Sequence, residues 1–370
     1  MPGKNIHKEP FDEGTITKLE IFQRYAREWL PVFVMDKRKK VNIFDFFAGP
    51  GYDESRCPGS PIRILEEIRG QISNIKNNGT IIHLYFNEYD KKKYEQLKVA
   101  CKEYVDQNPN FRPNVTIHLF NKDFEELYEY LEPLIGVAPS LVYLDQNGIK
   151  FISDKYFNSL ISKPQTDFFY YLSSSFFVRF GDTPEFKAIV PEATMEEIRE
   201  KPYKYIHNEI LNYLKSKLPA DSDVMLYPFT IKKKSGVYGI IFGASHLLAA
   251  DKFLTIAWKI NEVNGAANFD IDDDWEKDQL TFDFWGPPEI KKVDAFKRDL
   301  RSKILAGEIT NNKEAYIFTM QKGHIGTHAK EEVSKMKKEK LIEYEGSWPK
   351  VNYAAAIKDN EIVEYKIVKK

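Results

Sequence analysis

The stretch FDFFAGPGYD, residues 44–53, breaks an apolar run at two glycines flanking a proline, with an acid just before the break. Glycine tolerates backbone shapes closed to other residues and lets a ligand or a second backbone come close. In an open α/β sheet the first strand-to-helix turn is where a nucleotide meets the main chain, which makes Asp45, Phe47, Ala48, Gly49, Pro50 and Gly51 a candidate site. FAGPG is shorter than G-x-G-x-x-G and carries no lysine placed to hold phosphates. An uncharged adenosyl group suits such a turn better than ATP, and a plain tight turn is the competing explanation.

Three further groups fall at the ends of apolar runs. Glu88 closes a second strand-like run, where a carboxylate can accept from both hydroxyls of a ribose. Asp123 follows a third run and could accept from an adenine amino group while Phe124 packs on the ring. Each acid equally fits a helix N-cap or first-turn charge. After a fourth run comes LDQNG, in which Asp145, Gln146 and Asn147 could orient an amine or a base edge; a polar turn closed by Gly148 is the alternative. The seven histidines form no H-x-H or H-E-x-x-H spacing, and Cys57 and Cys101 stand alone, so neither a metal site nor a thiol nucleophile is expected.

The elements that must position these groups alternate. A lead-in helix over TITKLEIFQRYAREWLPVFV, capped by Thr15 or Thr17, precedes the strand VNIFDFF. The glycine loop and a helix with Ser60 as its cap and Pro61 in its first turn come next. Strands are then expected over 81–90, 115–124, 140–148 and 167–177, with helices between the earlier ones. Such alternation implies a parallel sheet covered on both faces. After a helix near 203–218, runs at 223–233 and 237–245 separated by KSG read as a hairpin, followed by a helix over 247–261. The fold expected is therefore α/β and Rossmann-like: a mostly parallel seven-stranded sheet ending in an antiparallel hairpin, the pattern of class I methyltransferases.

Residues 1–267 form this domain, with 1–40 as its helical lead-in, and the acidic, proline-containing segment 268–290 reads as a linker. In 291–370 three helix-like runs, near 293–306, 311–321 and 327–340, and two short strands describe a winged helix-turn-helix. The net charge of -1 gives the whole chain no attraction for nucleic acid, but residues 291–340 carry thirteen Lys and Arg against seven acids. Lys330, Lys335, Lys337 and Lys338 on the candidate recognition helix would meet phosphates; a protein-docking role is the alternative. With two cysteines, no apolar leader and no apolar run of spanning length, the sequence reads as cytoplasmic.

These pieces taken in order, TITKLEIFQRYAREWL, FFAGPGYD with GSPIRIL, FNEYD, YLDQNG, FFYYLSSSF and YGIIFGASHLLAADKFLTIAW with the winged region, resemble the three-Cys-motif partner protein family. The resemblance implies a bacterial protein with a methyltransferase-like fold, working with a radical-SAM-like three-Cys-motif protein. Where many relatives read D-P-[FY]-G, similar to the loop with which amino-methyltransferases hold a target nitrogen, this chain has Gln146 and Asn147. The expectation is a protein binding S-adenosylmethionine through Gly49, Gly51, Glu88 and Asp123 and methylating nucleic acid. Its rivals are a noncatalytic scaffold that docks the partner and a DNA-binding regulator.

Overall fold

A computed structural model of the chain describes residues 10–145, 154–173, 206–233, 236–269 and 291–368. The chain divides into two compact units, Met1–His246 and Leu247–Lys370. The first opens with α1, Glu13–Met35, and its cap is Asp12, whose carboxylate accepts from the Thr15 N–H at 2.6 Å, not either threonine. An ionised acid at that position also complements the helix dipole, which a threonine hydroxyl cannot do.

The sheet has the order β3-β2-β1-β4-β5-β7-β6. Its strands are β1 (Lys40–Asp45), β2 (Ile81–Asn87), β3 (Val115–Phe120), β4 (Ser140–Leu144), β5 (Thr166–Ser173), β6 (Met225–Lys233) and β7 (Gly236–Ala244). Strands β1 to β5 pair in parallel, whereas β7 runs antiparallel to both β5 and β6. That order and single reversed strand define the class I methyltransferase fold.

Helices α2 (Ser60–Asn78), α3 (Lys91–Gln107), α4 (Phe124–Leu131), α5 (Asp154–Ser162) and α6 (Ile206–Ser216) complete the layers. One face of the sheet takes α1, whose Phe22 stacks on Tyr143 at 4.1 Å and whose Tyr25 meets Phe169 and Phe242. The other buries Phe44, Phe46, Val142, Leu144, Phe168 and Tyr170 under α4, α5 and α6. Burial on both faces is why the central strands read as continuous apolar runs instead of alternating.

Several boundaries differ from the sequence reading. Strand β3 stops at Phe120 because Asn121 turns its amide to the Glu88 and Tyr89 carbonyls and Asp123 caps α4. The cap of α2 is Gly59, and Ser60 is the first helical residue, its hydroxyl drawn to Asp45. Residues 146–153 and 174–205 lie outside the described part, and with them Gln146, Asn147 and the expected end of β5.

In the second unit α7 (Leu247–Ile260) precedes the winged helices α8 (Lys292–Leu305), α9 (Asn312–Gln321) and α10 (Gly326–Lys338). Phe296, Leu300, Tyr316, Met320, Val333 and Met336 are all buried. The wing strands β8 (Ile342–Glu343) and β9 (Lys366–Ile367) are shorter than the sequence suggested. Side-chain bonds do part of the ladder's work: the Asn312 amide donates to the carbonyls of Lys350 and Glu361 and accepts from Val363 N–H. Residues 270–290 of the expected linker are not described.

The β5–β7 pairing sets one sharp constraint. A methyl group on Gly243 would come within 2.1 Å of the Phe168 ring, its register partner. Gly243→Ala should lower stability by about 1–3 kcal/mol, seen as a reduced urea midpoint with an unchanged slope. An unshifted midpoint would mean that Phe168 moves freely.

Candidate functional site

The strand order reverses at β1, which lies between β2 and β4, and a crevice at such a reversal opens beyond the carboxyl ends of the strands. Asp45 ends β1 and is 1% exposed. It faces inward: one oxygen accepts from Ser60 Oγ at 2.6 Å and the other from the Phe47 N–H at 3.1 Å. Burial pushes its carboxyl up to about 7, opposed by the Ser60 and Phe47 hydrogen bonds, with the Asp145 charge adding and Lys18 subtracting.

The turn after β1 needs both glycines for different reasons. Gly49 and Gly51 have φ of 68° and 91°, the left-handed region. At Gly51 the close neighbour belongs to the chain itself, since an added methyl would lie 2.8 Å from Ala100 Cβ on α3. Gly49 instead lies close enough to Glu88 for its backbone N–H to lower the carboxyl's pKa slightly. Pro50 is buried between them, and Ala48 N–H donates to the Asn87 carbonyl at 2.8 Å. Farther along, buried Asp53 accepts from the N–H groups of Phe11, Ser55 and Cys57, closing the loop onto the lead-in segment.

Asn87 clips the loops after β1, β2 and β3 together. Its amide donates to the carbonyls of Phe46 and Lys122 and accepts from Lys122 N–H. Glu88 follows, half-buried, with one oxygen accepting from Asp90 N–H at 2.7 Å. Burial raises its pKa, opposed by the Asp90 N–H, the Lys93 charge and the Gly49 N–H. Beside it Tyr89 is 72% exposed, an aromatic face that the sequence reading passed over.

The other expected residues are placed as follows. Asp123 is exposed and caps α4, accepting from Glu125 N–H at 2.8 Å. Phe124 is 4% exposed, with Phe47 stacked on it at 5.2 Å and Phe46, Tyr128 and Tyr156 around it, so its ring belongs to the core and Phe47 is the more accessible of the pair. Asp145, just past β4, forms an ion pair with Lys18 of α1. The Lys18 ammonium also lies 4.2 Å from the centre of the Tyr171 ring on β5.

Lys18 was missed in the sequence, although a signal existed. It sits at the i, i+4, i+7, i+11 spacing of Lys18, Phe22, Tyr25 and Trp29, a charge on the buried stripe of an amphipathic helix. The Tyr143 hydroxyl, between Asp45 and Asp145 in its electrostatic surroundings, is buried with no hydrogen-bond partner among the described residues.

On α10, Lys330, Lys335 and Lys338 are exposed. Lys337 is committed to the wing: its ammonium donates to the Tyr344 and Gly346 carbonyls and lies over the Tyr344 ring. A cavity of about 780 Å³ in the second unit is lined by Trp258 and Thr255 of α7, by His328 and Lys330 of α10, and by Trp348.

Residues 270–347 match the family described as a GMT-like wHTH domain. Among solved structures, the chain is similar to a candidate O-methyltransferase from Klebsiella pneumoniae at 13% identity, over 63% of this chain and 90% of that one, with a TM-score of 0.31. It is also similar to the O-methyltransferase TomG from Streptomyces achromogenes, involved in tomaymycin synthesis and solved with SAM, at 12% identity, over 63% and 89%, with a TM-score of 0.33. No curated protein matches the chain. Strand order and winged unit together define a methyltransferase-like protein with a winged helix-turn-helix. No helix among the described residues is long and apolar enough to cross a membrane.

The raised Asp45 carboxyl makes stability depend on pH. An unfolded aspartate keeps an ordinary value near 4, so between about pH 4 and 7 the folded chain holds a proton that the unfolded chain has released. This contribution is complete at low pH and is lost as pH rises through about 7. Relative to Asp45→Asn, the wild type should lose about 2 kcal/mol between pH 5 and pH 8 in urea titrations, on the order expected for such a shift. A constant difference would show Asp45 already ionised at pH 5.

Proposed function

We propose that this chain is an S-adenosylmethionine-dependent methyltransferase that acts on nucleic acid, working with a three-Cys-motif, radical-SAM-like partner protein. One observation carries the reading: at the sheet's reversal, the left-handed Gly49 turn after β1 is tied through Ala48 N–H to the Asn87 carbonyl, next to the half-buried Glu88 that follows β2. A carboxylate there can accept from paired ribose hydroxyls, and a glycine turn lets the ligand reach the main chain. The exposed Tyr89 ring offers an apolar face for a base. Bound in this cleft, the donor supplies an electrophilic methyl group on a sulfonium.

The chain's own work is placement. Asp45 fixes the turn, Asn87 fixes the neighbouring loops, and the role of orienting the acceptor is assigned to Asp145, Gln146 and Asn147. In-line alignment of acceptor and methyl group can supply several kcal/mol of the barrier reduction, about what positioning gives in general. Lys330, Lys335 and Lys338 take up phosphates, while Lys337 supports the wing. A second reading, a noncatalytic adaptor that docks the partner protein or DNA, draws support from Lys18 already occupying Asp145.

Calorimetric titration of S-adenosylmethionine should give measurable binding to the wild type and at least a tenfold loss, about 1.4 kcal/mol, in Glu88→Ala. No heat with either protein removes the cofactor from the account. For the winged unit, replacing Lys330, Lys335 and Lys338 one at a time with alanine in the full chain should each reduce the salt slope of nucleic-acid binding by about 1. Co-purification with the partner but no methyl transfer to mixed DNA, RNA and protein would instead favour the adaptor.

A further inference from the structure

We propose that Lys18 and Asp145 form a catalytic pair for a hydroxyl acceptor, and that the acceptor is a ribose 2′-hydroxyl of an RNA chain. This rests on the methyltransferase reading above. The Lys18 and Asp145 side chains are 9% and 19% exposed, and the Lys18 ammonium lies over the Tyr171 ring of β5. An enclosed ion pair contributes little net stability compared with apolar residues of the same volume. Its position at the end of β4, next to the sheet's reversal, therefore points to chemistry more than to packing. The buried Tyr143 hydroxyl, without a hydrogen-bond partner among the described residues, lies in the electrostatic surroundings of Asp145.

The charges select the acceptor atom. An amine gains positive charge as it takes a methyl group and needs a free carboxylate or carbonyl to accept its N–H bonds. Here the carboxylate is already bound by an ammonium, which opposes new positive charge. A hydroxyl must instead lose a proton, and the negative charge developing on its oxygen is stabilised by a fixed cation. Among nucleic acids, internal hydroxyls belong to RNA, whose 2′-OH distinguishes it from DNA.

The step balances as follows. The 2′-O–H proton passes to the Asp145 carboxylate as the oxygen attacks the methyl carbon. The C–O bond forms while the C–S bond breaks, its electron pair returns to sulfur, and a neutral thioether leaves. Lys18 keeps its proton throughout, and Asp145 later releases its own to water. Among the described residues, Asp45 from β1, Tyr143 from β4 and Tyr171 from β5 are the other titratable groups whose charge acts on the pair.

The test uses the full chain, methyl-tritiated S-adenosylmethionine, and total RNA and genomic DNA as separate acceptors. Label is expected in RNA as alkali-resistant dinucleotides. Lys18→Met should reduce transfer about 100-fold or more, and Lys18→Arg should recover part of it. Without cofactor, a urea double-mutant cycle should show Lys18→Met destabilised and Lys18→Met/Asp145→Asn restored, yet the restored protein should still fail to transfer, which a merely structural pair does not predict. Label on base nitrogens or in DNA overturns the hydroxyl assignment while leaving a methyltransferase. Cofactor binding without label in either acceptor, transfer by the double variant, or absence of coupling in the cycle each overturns the catalytic pair. Failure to bind the cofactor at all removes the underlying reading as well.

Discussion

The strand-end site is organised around a carboxylate that does not reach solvent. A buried acid is costly unless its oxygens are hydrogen-bonded, and Asp45 meets that demand by binding the first hydroxyl of α2 and the first free N–H after β1. Those two bonds fix where the chain leaves the sheet and where the next helix begins. Only with both ends held must Gly49 and Gly51 take left-handed conformations. Asn87 repeats the device one strand over, tying the loops after β1 and β3 to β2. The strand-end turns are thus fixed by polar contacts inside the protein.

The two faces of the sheet divide the labour. Beneath α4, α5 and α6 the packing is almost wholly apolar and aromatic. Against α1 the same sheet buries charge: Asp45, the Lys18–Asp145 pair and Asp167, whose carboxylate accepts from Tyr25 Oη at 2.6 Å. Burial pushes the Asp167 carboxyl up to about 7, opposed by the bond from Tyr25. Helix α1 is therefore more than a lead-in. Its aromatic stripe locks it to β4 and β5, and that rigidity is what lets one lysine be delivered to a single carboxylate at the strand ends.

Strand and helix alternation was readable because burial on both faces writes long apolar runs, and the reversed hairpin because KSG leaves room for little else. The glycine turn was readable as a turn, but its reasons were not. Gly51 makes way for Ala100, forty-nine positions on, a contact only the fold reveals. Asp123 and Phe124 looked like a ligand pair because they follow a strand, yet the same position starts a helix, and capping and core packing account for the contacts they make. Lys18 escaped notice because a single lysine in an amphipathic helix is ordinarily solvated; only its register with Phe22, Tyr25 and Trp29 marks it. The two short wing strands are shorter still than the sequence suggested because its β-rich composition does not reveal that Asn312 replaces part of the ladder.

The winged unit constrains what kind of recognition is physically available. Trp258 donates from its indole N–H to the Gly323 carbonyl, pinning the turn that joins α9 to α10. His324 stacks on Phe296 at 4.2 Å, and burial drives its pKa down to about 2, so it stays neutral and packs as an aromatic. The direction of α10 is thereby set without a partner. Its exposed cations are lysines, point charges that suit phosphates, and it carries no arginine for bidentate contact with a guanine edge. Contacts of this kind with nucleic acid are in general made to the backbone and carry no sequence information. On the reading proposed above, a ribose acceptor, present at every position of an RNA chain, is the kind of target such a surface serves.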